Sequence, residues 1–140
     1  MTLRELAGHL IRRLNQNSTQ VFSLHMQNLG LDLTSVQFAA MNAIADHPGL
    51  DQAGIAANIA YDRATIGGVL DRLEQKGYIT RVVSARDRRA REVKLSAEGE
   101  RVFIKILPIV IKLQDDILPG LDQIERARFI ELANKAISRI

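Results

Sequence analysis

The fold is decided by residues 62–95, which read DRATIGGVLDRLEQKGYITRVVSARDRRAREVKL. In the first half, apolar side chains recur at the 3.6-residue period of an amphipathic helix. Asp62 is a favourable N-cap for this helix, and Gly77 is a favourable end. The period then becomes two in residues 78–83 and again in residues 91–95, which predicts two short strands. The stretch therefore predicts a helix followed by a β-hairpin.

Helical patterns also precede this stretch. Apolar residues at helical spacing predict a long first helix over residues 3–29 and a second over residues 35–45, with Thr34 as its N-cap. Asp51 is a favourable N-cap for a short third helix over residues 52–59. A tight turn then joins the third helix to the fourth. Four helices are therefore expected before the hairpin.

Two more helices are predicted after the hairpin. One begins after Ser96 and ends at residues 118–120, and Pro108 inside it removes a backbone hydrogen bond and is expected to kink it. The other is predicted over residues 122–138. The chain is thus expected to be mainly α-helical with one small β-hairpin, as a single domain over residues 1–140.

Charge is concentrated around the deciding stretch. The chain has 19 basic and 16 acidic residues, a net charge of +3. Residues 63–94 hold nine basic and four acidic residues, so this segment carries +5 and the remainder of the chain −2. Such a segment predicts a polyanionic partner, although a solvated basic loop has the same composition.

Composition narrows the class of protein. No cysteine is present, which excludes a disulfide scaffold, a thiolate metal site and a cysteine nucleophile. The longest apolar stretch, residues 102–113, contains two lysines and a proline and is shorter than the roughly 20 residues of a membrane span. Residues 1–5 lack the basic start and apolar block of a signal peptide. A cytoplasmic protein without a membrane segment is expected.

The order helix, tight turn, helix and basic hairpin is that of a winged helix-turn-helix, whose second helix enters the major groove of double-stranded DNA. The predicted recognition helix over residues 63–76 leaves small and basic side chains on its outer face. The arginines of the hairpin suit a narrow minor groove or the phosphates beside it. The predicted DNA-binding residues are Arg63, Ala64, Thr65, Gly67, Gly68, Arg72, Arg86, Asp87, Arg88 and Arg89.

Three motifs, in this order and at this spacing, resemble those of the multiple antibiotic resistance regulator (MarR) family. They are LEQKGYITR at residues 73–81, DRRA at residues 87–90 and VKLSAEG at residues 93–99. The resemblance covers nearly the whole chain. It implies a winged helix-turn-helix regulator that is a homodimer and that often responds to a small-molecule effector.

The resemblance also implies roles for particular segments. Residues 1–30 and 100–140 would form interlocking dimerisation helices, and residues 34–98 would form the DNA-binding lobe. Arg89 would enter the minor groove, and Asp87 would help to set the wing. Independently, the last two helices hold more apolar residues than one small lobe can cover, which favours a dimer. These residues are Val102, Phe103, Ile106, Leu107, Val110, Ile117, Phe129 and Ile137.

Two features depart from the family pattern. Gly67 and Gly68 stand where many members have larger polar residues that reach bases, and a glycine inside a helix costs roughly 0.5–1 kcal/mol relative to alanine. They would either let the helix backbone approach DNA closely or allow tight packing against another helix. Ser84 replaces a commonly acidic residue before the wing, which leaves the geometry of the hairpin open.

An effector site is predicted on the first helix. Its apolar stripe is broken by Asn17 and Ser18, just after Arg12 and Arg13. An arginine here could hold the carboxylate of a small anionic aromatic effector, with Ser18 beside it. The alternative is that the arginines extend into solvent and that Asn17 is hydrogen-bonded at a dimer interface.

The predicted function is sequence-specific regulation of transcription, as a repressor that binds a pseudo-palindromic double-stranded DNA operator and is relieved by a small aromatic acid. The alternative is a winged-helix module that binds another protein and has no ligand control. His9, His25 and His47 lack the spacing of metal ligands, and no serine lies in a nucleophile motif. No enzyme activity, metal or cofactor is therefore expected.

Overall fold

The computed structural model describes all residues, Met1–Ile140, and confirms a mainly helical fold with one β-hairpin. A short 3-10 helix over Leu3–Glu5 comes first. The other elements are α1 (Ala7–Asn28), α2 (Ser35–Asp46), α3 (Gln52–Asn58), α4 (Arg63–Gln75), β1 (Ile79–Val83), β2 (Arg91–Leu95), α5 (Ala97–Ile117) and α6 (Gln123–Ile137). None of the helices is both long enough and apolar enough to cross a membrane.

Side-chain caps fix where most helices begin. The predicted N-caps Thr34, Asp51 and Asp62 each accept a hydrogen bond from a backbone amide of the following first turn, and so does Ser96, after which α5 was predicted to begin. Asp122 does the same at the start of α6. Each such bond satisfies a donor that the helix itself leaves unpaired and contributes about 1 kcal/mol. The beginnings of five helices were therefore readable from single residues.

The prediction of one continuous helix over residues 3–29 was wrong. The amide of Leu6 donates to the carbonyl oxygen of Leu3, which closes a short 3-10 turn, and Leu6 then adopts an extended conformation with φ −99° and ψ 113°. The helix α1 begins only after this residue. The break could not be seen in the sequence, because Leu3, Leu6 and Leu10 follow one another at the spacing of a continuous helix.

The hydrophobic core lies between α2, α3, α4, the hairpin and the inner faces of α1 and α5. The largest fully buried side chains are Met26, Met41, Ile44, Ile55, Ile66, Leu70, Leu73, Ile79, Val93, Ile106 and Leu113.

Four residues of α5 were expected to form a dimer surface, and this expectation was wrong. They are Val102, Phe103, Ile106 and Val110. They face inward because α5 packs against α1, α2 and β2, so the protomer's own core covers them.

A second set of apolar side chains is exposed instead. The helix α6 contributes no buried residue at all. The exposed large apolar residues of α1, α5 and α6 are Leu10, Ile11, Leu24, Ile104, Ile111, Ile124, Ile130, Leu132 and Ile137. The first and last helices therefore carry an uncovered apolar surface.

The helix-turn-helix and the hairpin form one connected unit. Ala60, in the predicted tight turn between α3 and α4, has φ +54°, a left-handed conformation that costs a non-glycine residue roughly 1–2 kcal/mol. The strands are antiparallel, with Ile79 opposite Leu95 and Val83 opposite Arg91. On its other side, β2 bonds to the segment before α3, because the amide of Val93 donates to the carbonyl of Leu50. The root of the wing is therefore bonded on both sides.

Candidate nucleic-acid interface

The helix α4 presents one buried face and one open face. Ile66, Leu70 and Leu73 are buried. On the other face the predicted DNA-binding residues Arg63, Ala64, Thr65, Gly68 and Arg72 are exposed, and Gly67 is half-buried. The arginines here make no hydrogen bond or ion pair within the protomer. The outer face of α4 is therefore free to meet a ligand.

The two glycines of α4 are not required by packing within the protomer. A Cβ atom at Gly68 would meet nothing within 4 Å, and one at Gly67 would lie 3.9 Å from the Nε2 atom of Gln52, an ordinary van der Waals distance. The alternative of tight packing against another helix of the same chain is thus not supported. These positions leave the backbone of α4 unusually accessible.

Local hydrogen bonds shape the wing tip. The buried hydroxyl of Ser84 accepts from the amides of Arg86 and Asp87 at 3.1 and 3.4 Å and donates to Glu92 at 3.2 Å. A carboxylate oxygen of Asp87 accepts from the amide of Arg89 at 2.9 Å. Ser84 thus organises the wing, although the sequence left its effect open. The Asp87 carboxylate stabilises the turn at the wing tip.

The arginines of the tip point away from these contacts. Arg86, Arg88 and Arg89 are exposed, and their guanidinium groups have no partner in the protomer. An unpaired guanidinium presents five N–H donors in a planar fork, which suits phosphate or base-edge acceptors. The tip therefore offers the positive charge that the sequence predicts.

Two basic residues of the segment 63–94 are not free. The side chain of Arg81 is only 8% exposed and bonds Asp71 at 2.6 Å and Glu74 at 3.0 Å. The hydrogen bond from Arg81 holds the pKa of Glu74 below its usual value, and Glu74 in turn raises the pKa of Arg81. Lys76 donates to the backbone carbonyl of Asp32 and to Gln37. These two cations hold the lobe together and are not part of the free basic surface.

The recognition helix and the wing flank one cleft of about 500 Å³. It brings Arg63 of α4 together with Arg89 and Arg91 of the wing, and Ile66 also lines it. Sequence reasoning counted Arg91 only as part of the net charge and did not assign it to the site. The available signal was its position directly after the basic wing tip, because strand alternation alone places Arg91 on the same face of β2 as the buried Val93.

Comparison with known proteins gives this geometry its context. A family model described as "MarR family" matches residues 31–90. The transcriptional regulator HosA of Escherichia coli O157:H7 is 35% identical over 138 residues, covering 99% of both chains. The chain belongs to the MarR family. It is a DNA-binding transcription regulator with a winged helix-turn-helix fold.

Two other members of the family are similar over most of their length. The HTH-type transcriptional repressor NicR of Pseudomonas putida is 30% identical over 133 residues, covering 95% of this chain and 83% of NicR. The structure of BpsR from Bordetella bronchiseptica, described as regulated in DNA binding by 6-hydroxynicotinic acid, superposes with a TM-score of 0.86. It is 26% identical and covers 99% of this chain and 97% of BpsR.

In this MarR-family protein, the predicted effector residues lie in two different places. Ser18 lines a cavity of about 500 Å³ between α1, the end of α5 and α6. Arg12 and Arg13 line a separate polar groove together with His9. Both arginines lie more than about 100° around α1 from Ser18, at 100° per residue. Within one protomer the structure therefore does not bring the three residues together.

Other residues of the Ser18 cavity escaped sequence reasoning. Arg126 of α6 lines it, and its Nη1 atom donates to the carbonyl of Leu121 at 2.8 Å. The side chain of Asn17 donates to the carbonyl of Ile117 at 2.9 Å, so its partner lies in its own protomer. The seven-residue spacing from Ile11 to Ser18 indicated that Ser18 shares the apolar face of α1. No cluster of three or more His, Asp or Glu side chains could hold a metal ion.

Proposed function

We propose that this protein is a repressor that binds a pseudo-palindromic DNA operator as a homodimer and is released by a small aromatic acid. The observation that carries the proposal is the cleft where unpaired arginines of α4 and of the wing face the same space. A DNA backbone that runs between a major and a minor groove fits such a cleft. Residues 34–98 form the DNA-binding lobe in this proposal.

Each part of the lobe has its own contact with DNA. The helix α4 enters the major groove, where Thr65 reaches a base edge and Arg63 and Arg72 meet phosphates or guanines. Ala64, Gly67 and Gly68 let the helix backbone approach closely. Arg86, Arg88 and Arg89 reach the minor groove and its phosphates, and Asp87 keeps the tip in shape.

The homodimer is supported by the amount of uncovered surface. The chain exposes 9959 Å², whereas a compact monomer of its mass exposes about 7,300 Å². Exposed large apolar side chains are present in residues 1–30 and 100–140, which we assign to dimerisation. A two-fold dimer places its recognition helices in successive major grooves, about 10 base pairs apart.

Repression and its relief are supported by relatives. NicR is named a repressor, and BpsR is described as regulated by an aromatic acid, 6-hydroxynicotinic acid. We assign effector binding to Arg12, Arg13 and Ser18. Because these residues lie in different grooves of one protomer, a ligand that touches all three requires the second protomer. We further propose that the protein acts without catalysis and in the cytoplasm, where its bacterial relatives would meet their DNA.

Replacing Arg89 with alanine is expected to weaken DNA binding by roughly 1–3 kcal/mol while leaving stability unchanged, because an exposed wing tip packs against nothing. Fluorescence anisotropy with a duplex selected from a random pool measures the loss. Over a salt series the log–log slope should also fall in magnitude by about 1, as expected when one phosphate contact is lost.

The control for Arg89 is Arg101→Ala, which removes an exposed arginine that is already paired with Glu98 on α5. It is expected to bind as the parent does. Equal affinity of the Arg89 variant and the parent across the salt series would contradict the assignment of the wing. If the DNA affinity of the parent protein did not change with salt concentration, the alternative function, a winged-helix module that binds another protein, would be favoured.

A small aromatic acid is expected to raise the melting temperature and to release DNA. At 100 times its dissociation constant, a ligand that binds only the folded state stabilises it by about 2.7 kcal/mol. Titration of 6-hydroxynicotinic and hydroxybenzoic acids tests this, with Arg12→Ala, Arg13→Ala and Ser18→Ala beside the parent. Variants that respond as the parent does would remove these residues from the site.

A further inference from the structure

Gln52, the first residue of α3, lies between the recognition helix and the wing. Its Oε1 atom accepts a hydrogen bond from the Nη1 atom of Arg81 at 3.0 Å. Arg81 is itself fixed by Asp71 and Glu74. Because a guanidinium group only donates, the oxygen of the Gln52 amide must face Arg81. The NH₂ group is therefore turned away from Arg81.

This NH₂ group has no partner within the protomer. It is not among the buried polar atoms that lack a hydrogen bond, so it remains accessible to solvent. Gln52 lines the cleft that also holds Arg63 and Arg89. The missing side chain of Gly67 leaves room beside the amide nitrogen, because even a Cβ atom there would lie 3.9 Å away. Two N–H donors are thus held ready in the cleft.

The surroundings of these donors favour an anionic acceptor. Arg63, Arg89 and Arg91 outnumber the two carboxylates of the cleft, which belong to Asp51 and Asp87. Both carboxylates already accept backbone amides, from the first turn of α3 and from the wing. A phosphate oxygen, which only accepts, complements free N–H donors beside arginines.

We propose that Gln52 is a further DNA-contacting residue that donates to a backbone phosphate, and that Arg81 is the positioning residue that sets the direction of its amide. The inference rests on the proposed function, since it needs DNA in the cleft. It gives Arg81 a role in DNA binding although this arginine, buried under its carboxylate partners, touches no DNA. It also gives Gly67 a reason to lack a side chain.

The test compares Gln52→Glu and Gln52→Met on two 30-base-pair duplexes, one selected by the parent protein from a random pool and one of random sequence. Glutamate keeps the acceptor for Arg81, so the melting temperature should equal or exceed that of the parent. It presents a negative charge to the cleft and should weaken binding to both duplexes by at least tenfold. Methionine removes the donors without adding charge and should weaken both by about tenfold.

Salt dependence separates a direct contact from a displaced wing. Glutamine is neutral, so Gln52→Met should weaken binding equally at every salt concentration and leave the slope unchanged. Arg81→Met frees the amide to rotate, and adding Gln52→Met to this variant should then cost less affinity than it costs in the parent. An equal cost in both backgrounds would overturn the positioning role of Arg81.

The remaining outcomes decide the contact itself. Binding of Gln52→Met to both duplexes within twofold of the parent would overturn it, as would a loss confined to the selected duplex, because a phosphate contact is blind to sequence. Arg89→Ala separates a missing Gln52 contact from a cleft that does not bind DNA at all. If Arg89→Ala loses affinity and Gln52→Met does not, only this inference fails; if neither variant loses affinity, the proposed function fails as well.

Discussion

Replacing Gly99 with alanine is expected to lower the free energy of unfolding by about 3 kcal/mol, the upper part of the usual range for overpacking. A Cβ atom at this position would clash with the carbonyl oxygen of Tyr78 and lie 2.8 Å from its carbonyl carbon. These are backbone atoms, and the oxygen already accepts the amide of Ser96 at 2.9 Å. The start of α5 therefore cannot move away without losing its contact with the root of the hairpin.

Urea denaturation measures this loss, and Gly68→Ala is the matched control. A Cβ atom at Gly68 meets open space, so this second variant should gain stability, by about 0.5–1 kcal/mol, from the better helix propensity of alanine. It should nevertheless bind DNA more weakly if the α4 backbone lies close to the duplex. A Gly99 variant as stable as the parent would show that the contact between α5 and Tyr78 is not rigid.

Replacing Ile111 with aspartate is expected to dissociate the dimer and abolish DNA binding at micromolar concentration. Ile111 is 64% exposed in the protomer, and a substitution at such a site in a monomer changes stability by only about 0.5 kcal/mol. In the dimer the same change buries a carboxylate that has no partner, which costs several kcal/mol. Analytical ultracentrifugation over a range of concentrations measures the shift.

Val83→Asp is the control for this experiment. Val83 is exposed to nearly the same extent, 60%, but lies on the hairpin, away from the first and last helices. It should leave the dimer intact. If both variants sediment as the parent does, the exposed face of α5 is not part of the interface.

The helix starts could be predicted because they depend on single local residues. Thr34, Asp51, Asp62 and Ser96 each bond to an amide two or three positions along the chain, so no tertiary information is needed. The two faces of α5 could not be sorted in the same way. Both are apolar, and periodicity identifies an apolar face without saying whether the same chain or a partner covers it.

In the candidate site too, features set by local sequence could be predicted, and those set by tertiary contacts could not. The arginines of the wing and the open face of α4 followed from the order of the elements. The interactions of Arg81 with Asp71 and Gln52 did not, because they join β1, α4 and α3 across 10 and 29 positions of sequence. Arg12 and Ser18 were predicted to share an effector site because they are close in the sequence. Residues that are close in the sequence of a helix can lie on different sides of it, and within one protomer these two do.

The strand β2 is hydrogen-bonded along both of its edges, and this limits how the wing can move. A hairpin whose strands bonded only to each other could move relative to the rest of the domain. Here β2 also pairs with Leu50 and Asp51, and Arg81 bonds the hairpin to Asp71 of α4. The helix-turn-helix and the wing must then rotate together as one rigid body. A small tilt imposed where α5 leaves the lobe would therefore displace every DNA contact at once, so release of DNA needs no separate hinge for the wing.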